Sequence, residues 1–348
     1  MNYLICQDWT NTSNNHAGIK YLCQQLEKTY NEECKAIVIP DYIGSQIVKH
    51  SRLTRKFYIW IAKIKFNKFI KKIIYELNKQ LKEGDKVFLL EYLEKLLPQY
   101  KLAIELKKFH PEVKMYAMVH LIPQKLDNSF TDAVFNKWVK PIDKFITLGS
   151  SLTEYLIKRG INEDKVITSF HYVDNYFYKP TSNKPENAKV QVIAMGNQER
   201  NVKLLHEVVV NNPSVDFIIC QGVSDMSSHF KGLKNVRLIP FVEEGELRKL
   251  MDESDISLNI MNDTIGSNVI VTSMAMGLAM ICSDVGSIRD YCNENNCTLC
   301  NNNNMNEFSD AIKRLSLDRK LLLSMKLNSL QKSQEISIDR FYNHIKDR

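Results

Sequence analysis

The stretch from Thr264 to Ser287 holds the residue types and spacing most suited to chemistry. Gly266 sits in a short loop, an apolar segment runs from Asn268 to Gly277 with helical character, and Ala279-Met280-Ile281-Cys282 reads as a strand closing at Gly286. A loop that opens a helix in this way presents unpaired backbone N–H groups of Gly266, Ser267 and Asn268 to an anion. The anion that fits such a place is a phosphate or diphosphate.

The elements that must position this loop alternate along the whole chain. Strands are expected at Tyr3–Cys6, Ala36–Ile39, Val87–Leu90, Lys114–Val119 and Lys144–Leu148, with helical patterns between them such as Ala17–Tyr30. A second set begins at Val190–Met195 and continues through Asp216–Cys220, Val236–Ile239, Ile256–Ile260 and Ala279–Cys282. Alternation of this kind predicts parallel sheets with helices on both faces. The polar, proline-bearing run Pro180–Asn187 separates the two sets as a linker. The expected fold class is therefore α/β, with two doubly wound Rossmann-like domains facing each other across a cleft, where ligands of such folds sit. The boundaries read as 1–167, a linker at 168–187, 188–333, and a terminal helix at 334–348 on Ile338, Phe341, Tyr342 and Ile345.

The 348 residues, 44% hydrophobic and 25% charged, can form two domains with cores of their own and exclude large-scale disorder. No apolar run reaches the roughly 18 residues of a membrane span, and the start lacks a secretory leader, which predicts a cytoplasmic protein. The eight cysteines do not form a secreted disulfide pattern. Cys292, Cys297 and Cys300 match part of an iron–sulfur spacing, but no cysteine follows to complete it, so reduced structural thiols are expected. The polar run Asn301–Asn304 reads as a surface loop.

Several passages resemble, in the correct order, the GT4 family of retaining GT-B glycosyltransferases. Phe170–Pro180 is similar to the family's Asn-Gly-Val-Asp-x-x-x-Phe-x-Pro passage, Ile146–Leu156 to its strand, serine turn and helix, and Gly196–Lys203 to its glycine-to-Arg/Lys element. Phe241–Leu247 and Asp252–Leu258 also fall in register. The likeness is close from about residue 145 to 292, and the family pattern Glu-x7-Glu-Ala-Met-Ala-x-Gly falls on Thr264–Gly277 with Thr264 and Thr272 in place of both glutamates.

The resemblance implies a nucleotide-sugar donor, UDP- or GDP-linked, bound by Gly18, Gly196, Thr264, Gly266, Ser267, Asn268 and Thr272. It implies that Arg200 and Lys203 stabilise charge on the departing diphosphate and that His120 contacts the transferring sugar, although a histidine at a strand end is equally a structural residue. In isolation, Arg200 and Lys203 read as solvated residues near a helix start, and the surrounding pattern in register reverses that reading. A carboxylate accepts two charge-assisted hydrogen bonds where a threonine makes one neutral bond, so the threonines change donor preference or end catalysis. No Asp-x-Asp element occurs, and neither a metal nor another cofactor is expected.

The net charge of +7 is concentrated in one segment. Between Lys49 and Lys82 eleven Lys or Arg residues face one acid, Glu76, a local +10 that leaves −3 for the rest. Phe66, Phe69, Ile70, Ile73, Ile74, Leu77 and Leu81 share one helical face, whereas Leu53, Phe57, Trp60, Ile61 and Ile64 lie on the opposite side, which predicts a break near Lys65 or two separate amphipathic pieces. A core-facing helix with a solvated cationic back accounts for part of this pattern. The excess of cations beside interfacial aromatics points to an anionic membrane surface met by Arg55, Lys56, Trp60, Lys63, Lys65, Lys68, Lys71 and Lys72. Nucleic acid is the competing anion, but no reading motif accompanies the charge.

The expectation is a metal-independent, retaining glycosyltransferase that acts on a glycan or lipid-linked oligosaccharide in surface polysaccharide or glycoconjugate synthesis, peripheral on the inner face of the cell membrane. The alternative is a non-catalytic GT-B-fold binding subunit that has lost donor chemistry.

Overall fold

The structure is a computed structural model that describes residues 1–9, 15–42, 52–181, 189–196 and 198–348. Lys49, residues 182–187 of the expected linker and Asn197 lie outside the described residues, as do the side chains of Arg52 and Leu53.

The chain divides into two compact units. The first comprises Met1–Leu148, Leu152–Ser169 and Tyr342–Arg348; the second comprises Gly149–Ser151 and Phe170–Phe341. The Phe170–Pro180 passage thus belongs to the second unit, and the last seven residues belong to the first.

The first unit is built on six strands: β1 (Asn2–Gln7), β2 (Cys34–Ile39), β3 (Lys86–Tyr92), β4 (Lys114–Val119), β5 (Lys144–Thr147) and β6 (Val166–Thr168). All pair in parallel in the order β2-β1-β3-β4-β5-β6. The second unit contains β7 (Gln191–Met195), β8 (Asp216–Cys220), β9 (Val236–Ile239), β10 (Ile256–Asn259), β11 (Ala279–Ser283) and β12 (Cys297–Cys300). These are also parallel, ordered β12-β11-β10-β7-β8-β9. Both sheets are doubly wound, as the alternation predicts, and helices cover their faces. Strands sandwiched in this way are apolar throughout: β4 and β11 bury all or nearly all of their residues.

The topology decides where ligands bind. In the second sheet the chain runs outward from β7 through β8 to β9, then returns to place β10 on the other side of β7. The crevice at such a reversal lies beyond the carboxyl ends of the two central strands, here Met195 and Asn259. The equivalent reversal in the first sheet lies between β1 and β3.

The basic segment differs from expectation. It is one continuous helix, Arg52–Gln80, with no break at Lys65. Ala62, Phe66, Ile70, Ile73 and Leu77 are buried at spacings of three and four, forming the single stripe that packs inward, and the helix contacts the helix Gln99–Phe109. Phe57, Trp60 and Ile64 fall off this stripe and stay 58%, 58% and 49% exposed. No break is needed because only the residues from Ala62 onward use the core. Among the described residues, no helix is long and apolar enough to cross a membrane.

Candidate functional site

The loop Met261–Ser267 follows β10, and the helix Asn268–Ala275 follows the loop. The helix stops at Gly277, whose φ of +66° suits a residue without a Cβ. Gly277 N–H donates to Met274 O (2.9 Å) and Leu278 N–H to Ser273 O (3.0 Å), the paired bonds that close a helix end. At the other end, Ser267 occupies the cap position with extended backbone and makes no side-chain capping bond. The leading N–H groups of this helix are therefore not taken by Ser267, and the positive end of the dipole points out of the loop.

The glycine turn after β7 faces the same loop. Gly196 has φ +82°, and a Cβ there would lie 3.2 Å from Arg200 Nη2 and 3.4 Å from Val269 Cγ2. Arg200 therefore lies across Gly196 beside the first turn of the helix Asn268–Ala275. Two backbone bonds fix this arrangement, Asn201 N–H to Ile260 O (3.1 Å) and Asn262 N–H to Glu199 O (2.8 Å), around an antiparallel bridge between Arg200 and Met261. Among the described residues, the buried guanidinium Nε and Nη1 have no hydrogen-bond partner. Burial pushes the Arg200 pKa down to about 10, partly offset by the neighbouring Cys282. A buried cation with unsatisfied donors is costly unless an anion completes it.

The two threonines spend their hydroxyls internally. Thr264 Oγ1 accepts from Gly266 N–H at 3.3 Å, and Thr272 Oγ1 donates to Asn268 O at 2.7 Å, one turn back in its own helix. Both residues are buried. The Thr264 carbonyl accepts from Ser287 N–H (2.7 Å), and a Cβ on Gly286 would lie 2.1 Å from that carbonyl oxygen. Asp263 Oδ1 accepts from Thr264 N–H (2.7 Å), and burial raises the Asp263 pKa, with Glu199 adding to the rise.

His171, which sequence reasoning did not single out, supports the same helix start. Its Nδ1–H donates to Tyr172 O (3.0 Å), Asn268 is its other side-chain partner, and its backbone N–H donates to Tyr291 Oη (2.7 Å). Burial lowers its pKa to about 4. The only sequence signal was its place in the Phe170–Pro180 passage. Lys203 lies exposed in the first turn of the helix Val202–Val210, which Asn201 caps by accepting from Leu204 N–H (3.1 Å).

In the first unit, the carboxyl ends of β1, β3 and β4 carry a second polar group. His120 follows β4, half-buried, and its Nε2–H donates to Leu90 O (2.8 Å). Beside it Glu91 is buried and accepts from Gln7 N–H and Trp9 Nε1–H, each at 2.5 Å; burial raises its pKa to about 7. Gln7 Oε1 and Gln99 Nε2, also buried, have no partner among the described residues. Gly18 precedes the helix Ile19–Thr29 with an ordinary φ of −82°, so no strained turn demands glycine there. Arg55, Lys56, Trp60, Lys63, Lys65, Lys68, Lys71 and Lys72 are exposed along the basic helix.

Residues 186–318 match the family model described as Glycosyl transferases group 1. No curated protein matches the chain. Similar solved structures include a glycosyltransferase from Rickettsia africae (13% identity, 100% of this chain and 99% of that one, TM-score 0.70). HepE from Anabaena, solved with UDP, is similar over 99% of this chain and 98% of its own at 14% identity and TM-score 0.71. HepE was also solved with UDP-glucose. Sucrose-phosphate synthase from Thermosynechococcus elongatus matches over 96% and 94% at 12% identity and TM-score 0.71. The fold is GT-B, and the matched residues 186–318 fall within the second unit.

Proposed function

We propose that the chain, a glycosyltransferase (EC 2.4) by its group 1 domain and its GT-B fold, transfers a sugar from a UDP- or GDP-linked donor to a glycan or lipid-linked oligosaccharide, with retention and without a catalytic metal. The single observation that carries this reading is Arg200. Its buried Nε and Nη1 lack partners among the described residues, beside the uncapped start of the helix Asn268–Ala275, at the strand reversal where α/β ligands sit. A diphosphate there would complete both the guanidinium and the helix N–H groups.

The chemistry follows from charge. Breaking the bond between the anomeric carbon and the phosphate oxygen leaves added negative charge on the diphosphate, and a fixed cation with aligned N–H donors stabilises it as it develops. The departing phosphate oxygen takes the acceptor's proton on the same face, so no protein base is required. Lys203, exposed in the first turn after the Asn201 cap, is assigned to the outer phosphate oxygens, and His120, fixed by Leu90 O, to the sugar. The UDP and UDP-glucose complexes of HepE support a nucleotide-sugar donor.

Attachment to an anionic membrane surface at the cytoplasmic face is proposed for the outer side of the helix Arg52–Gln80. Phe57, Trp60 and Ile64 are exposed among Arg55, Lys56 and Lys63, the composition of an interfacial helix. Such attachment would bring the chain to a lipid-linked acceptor in surface polysaccharide or glycoconjugate synthesis.

The internal engagement of Thr264 and Thr272 favours a second reading, a binding subunit without donor chemistry. Thermal-shift measurements with UDP, GDP and their sugars separate the two. Stabilisation by a nucleotide at millimolar concentration supports the transferase, and its absence with all of them supports the subunit.

A further inference from the structure

The sequence groups Cys292, Cys297 and Cys300, but the fold assembles a different trio. β11 and β12 pair in parallel with Met280 opposite Cys297 and Cys282 opposite Leu299. Side chains alternate across a sheet, so Cys282 and Cys297 share a face, whereas Cys300, three residues past Cys297, points to the other. Cys300 accordingly joins the hydrophobic core with Phe308 and Ile312. The turn Asn293–Asn296, closed by Cys297 N–H to Asn293 O (2.9 Å), folds Cys292 back onto the pair. The Sγ atoms of Cys282, Cys292 and Cys297 all lie within 4.8 Å of one another, and none of the three residues is more than 3% exposed.

We propose that Cys282, Cys292 and Cys297 form a three-thiolate site for a divalent thiophilic metal ion of the zinc class. Zinc–sulfur bonds of about 2.3 Å place three sulfurs roughly 4 Å apart, inside the observed envelope. Binding forms three metal–sulfur bonds and releases three thiol protons to solvent. Three thiolates and a divalent ion leave one negative charge, which a buried site must balance. Arg200, which acts electrostatically on Cys282 and has two buried donors without partners among the described residues, supplies the opposite charge. A monovalent copper ion would leave a second negative charge uncompensated, and an iron–sulfur cluster requires a fourth thiolate. The described residues bring only these three together. The ion would tie the end of β11 to β12 beneath the Gly286–Ser287 turn that packs on Thr264. This role is structural, and Arg200 is the residue it shares with the candidate donor site.

The test uses the full chain purified from zinc-supplemented cells and, in parallel, refolded with zinc chloride. Elemental analysis is expected to give one zinc per chain, and X-ray absorption at the zinc edge three sulfur neighbours at about 2.3 Å. Cys292→Ser and Cys297→Ser are each expected to hold less than a tenth of that metal, with Cys292→Ala and Cys297→Ala as better-folding versions, whereas Cys300→Ser and Cys220→Ser keep it. Cadmium in place of zinc should add thiolate-to-metal charge-transfer absorption that the Cys297 variants lack. The proposal is overturned by wild-type protein without zinc after both preparations, by a nitrogen- or oxygen-only shell, or by an equal loss in Cys300→Ser. Loading by copper(I) with zinc excluded overturns the divalent assignment.

Discussion

The hydroxyl of Thr272 donates to the carbonyl oxygen of Asn268 at 2.7 Å, so a side chain facing the candidate donor site is turned back into its own helix. Its donor capacity is used before any ligand arrives. Thr272→Val is therefore expected to change nucleotide affinity less than about threefold, because the lost hydroxyl made no ligand bond. Isothermal titration with UDP or GDP checks this, and a tenfold loss would show that the hydroxyl reaches the ligand.

Arg200 has the opposite character, with two buried donors that have no partner among the described residues. Arg200→Ala is expected to lower turnover by about a hundredfold, the scale for a donor aimed at developing charge, whereas Lys79→Ala in detergent changes it less than about twofold. Equal effects would reject the assignment. In zinc-free protein without nucleotide, Arg200→Met is expected to melt no lower than the native protein, since removing an unsatisfied buried cation relieves a cost of about 1–3 kcal/mol.

Burial holds His171 neutral, with its pKa lowered to about 4 from 6.5. A depressed base favours folding while neutral, so its contribution is fully present above pH 6.5 and is lost as the pH falls toward 4, by up to about 3 kcal/mol. Denaturant midpoints measured between pH 7 and 4 should fall more steeply for the native protein than for His171→Asn. Parallel curves would place the titration elsewhere.

Glu91 titrates with the other sign. Its pKa is raised from 4.5 to about 7, so the folded state retains a proton that the unfolded state releases, and stability is lost as the pH rises from about 4.5 to 7. Glu91→Gln should flatten that slope. Trp9 Nε1 donates to this carboxyl, so indole fluorescence is expected to titrate near pH 7 in the native protein alone. An unchanged spectrum across that range would contradict the coupling.

On the basic helix, Phe57→Ser combined with Trp60→Ser is expected to reduce sedimentation with anionic vesicles at least about tenfold while leaving the melting temperature in place, because both side chains are solvent-exposed. Vesicles without anionic lipid should retain little of either protein. Native protein that shows no preference for anionic lipid would remove the membrane reading.

Strand and helix alternation made the two doubly wound units legible from the sequence, since apolar runs such as Lys114–Val119 must be buried on both faces. Gly277 marked a helix end for the same kind of local reason, a φ that other residues avoid. The short outer strands Val166–Thr168 and Cys297–Cys300 carried too little apolar pattern to be read. Periodicity also suggested a break in Arg52–Gln80, because a period reports that a face changes and not whether a core is present to meet it. The strand order, and with it the crevice beyond β7 and β10, exists only once distant segments pair. The direction of each hydroxyl, the missing partners of Arg200 and the replacement of Cys300 by Cys282 were likewise decided in three dimensions. Residue type sets what a side chain can donate or accept, and packing alone sets what lies within its reach.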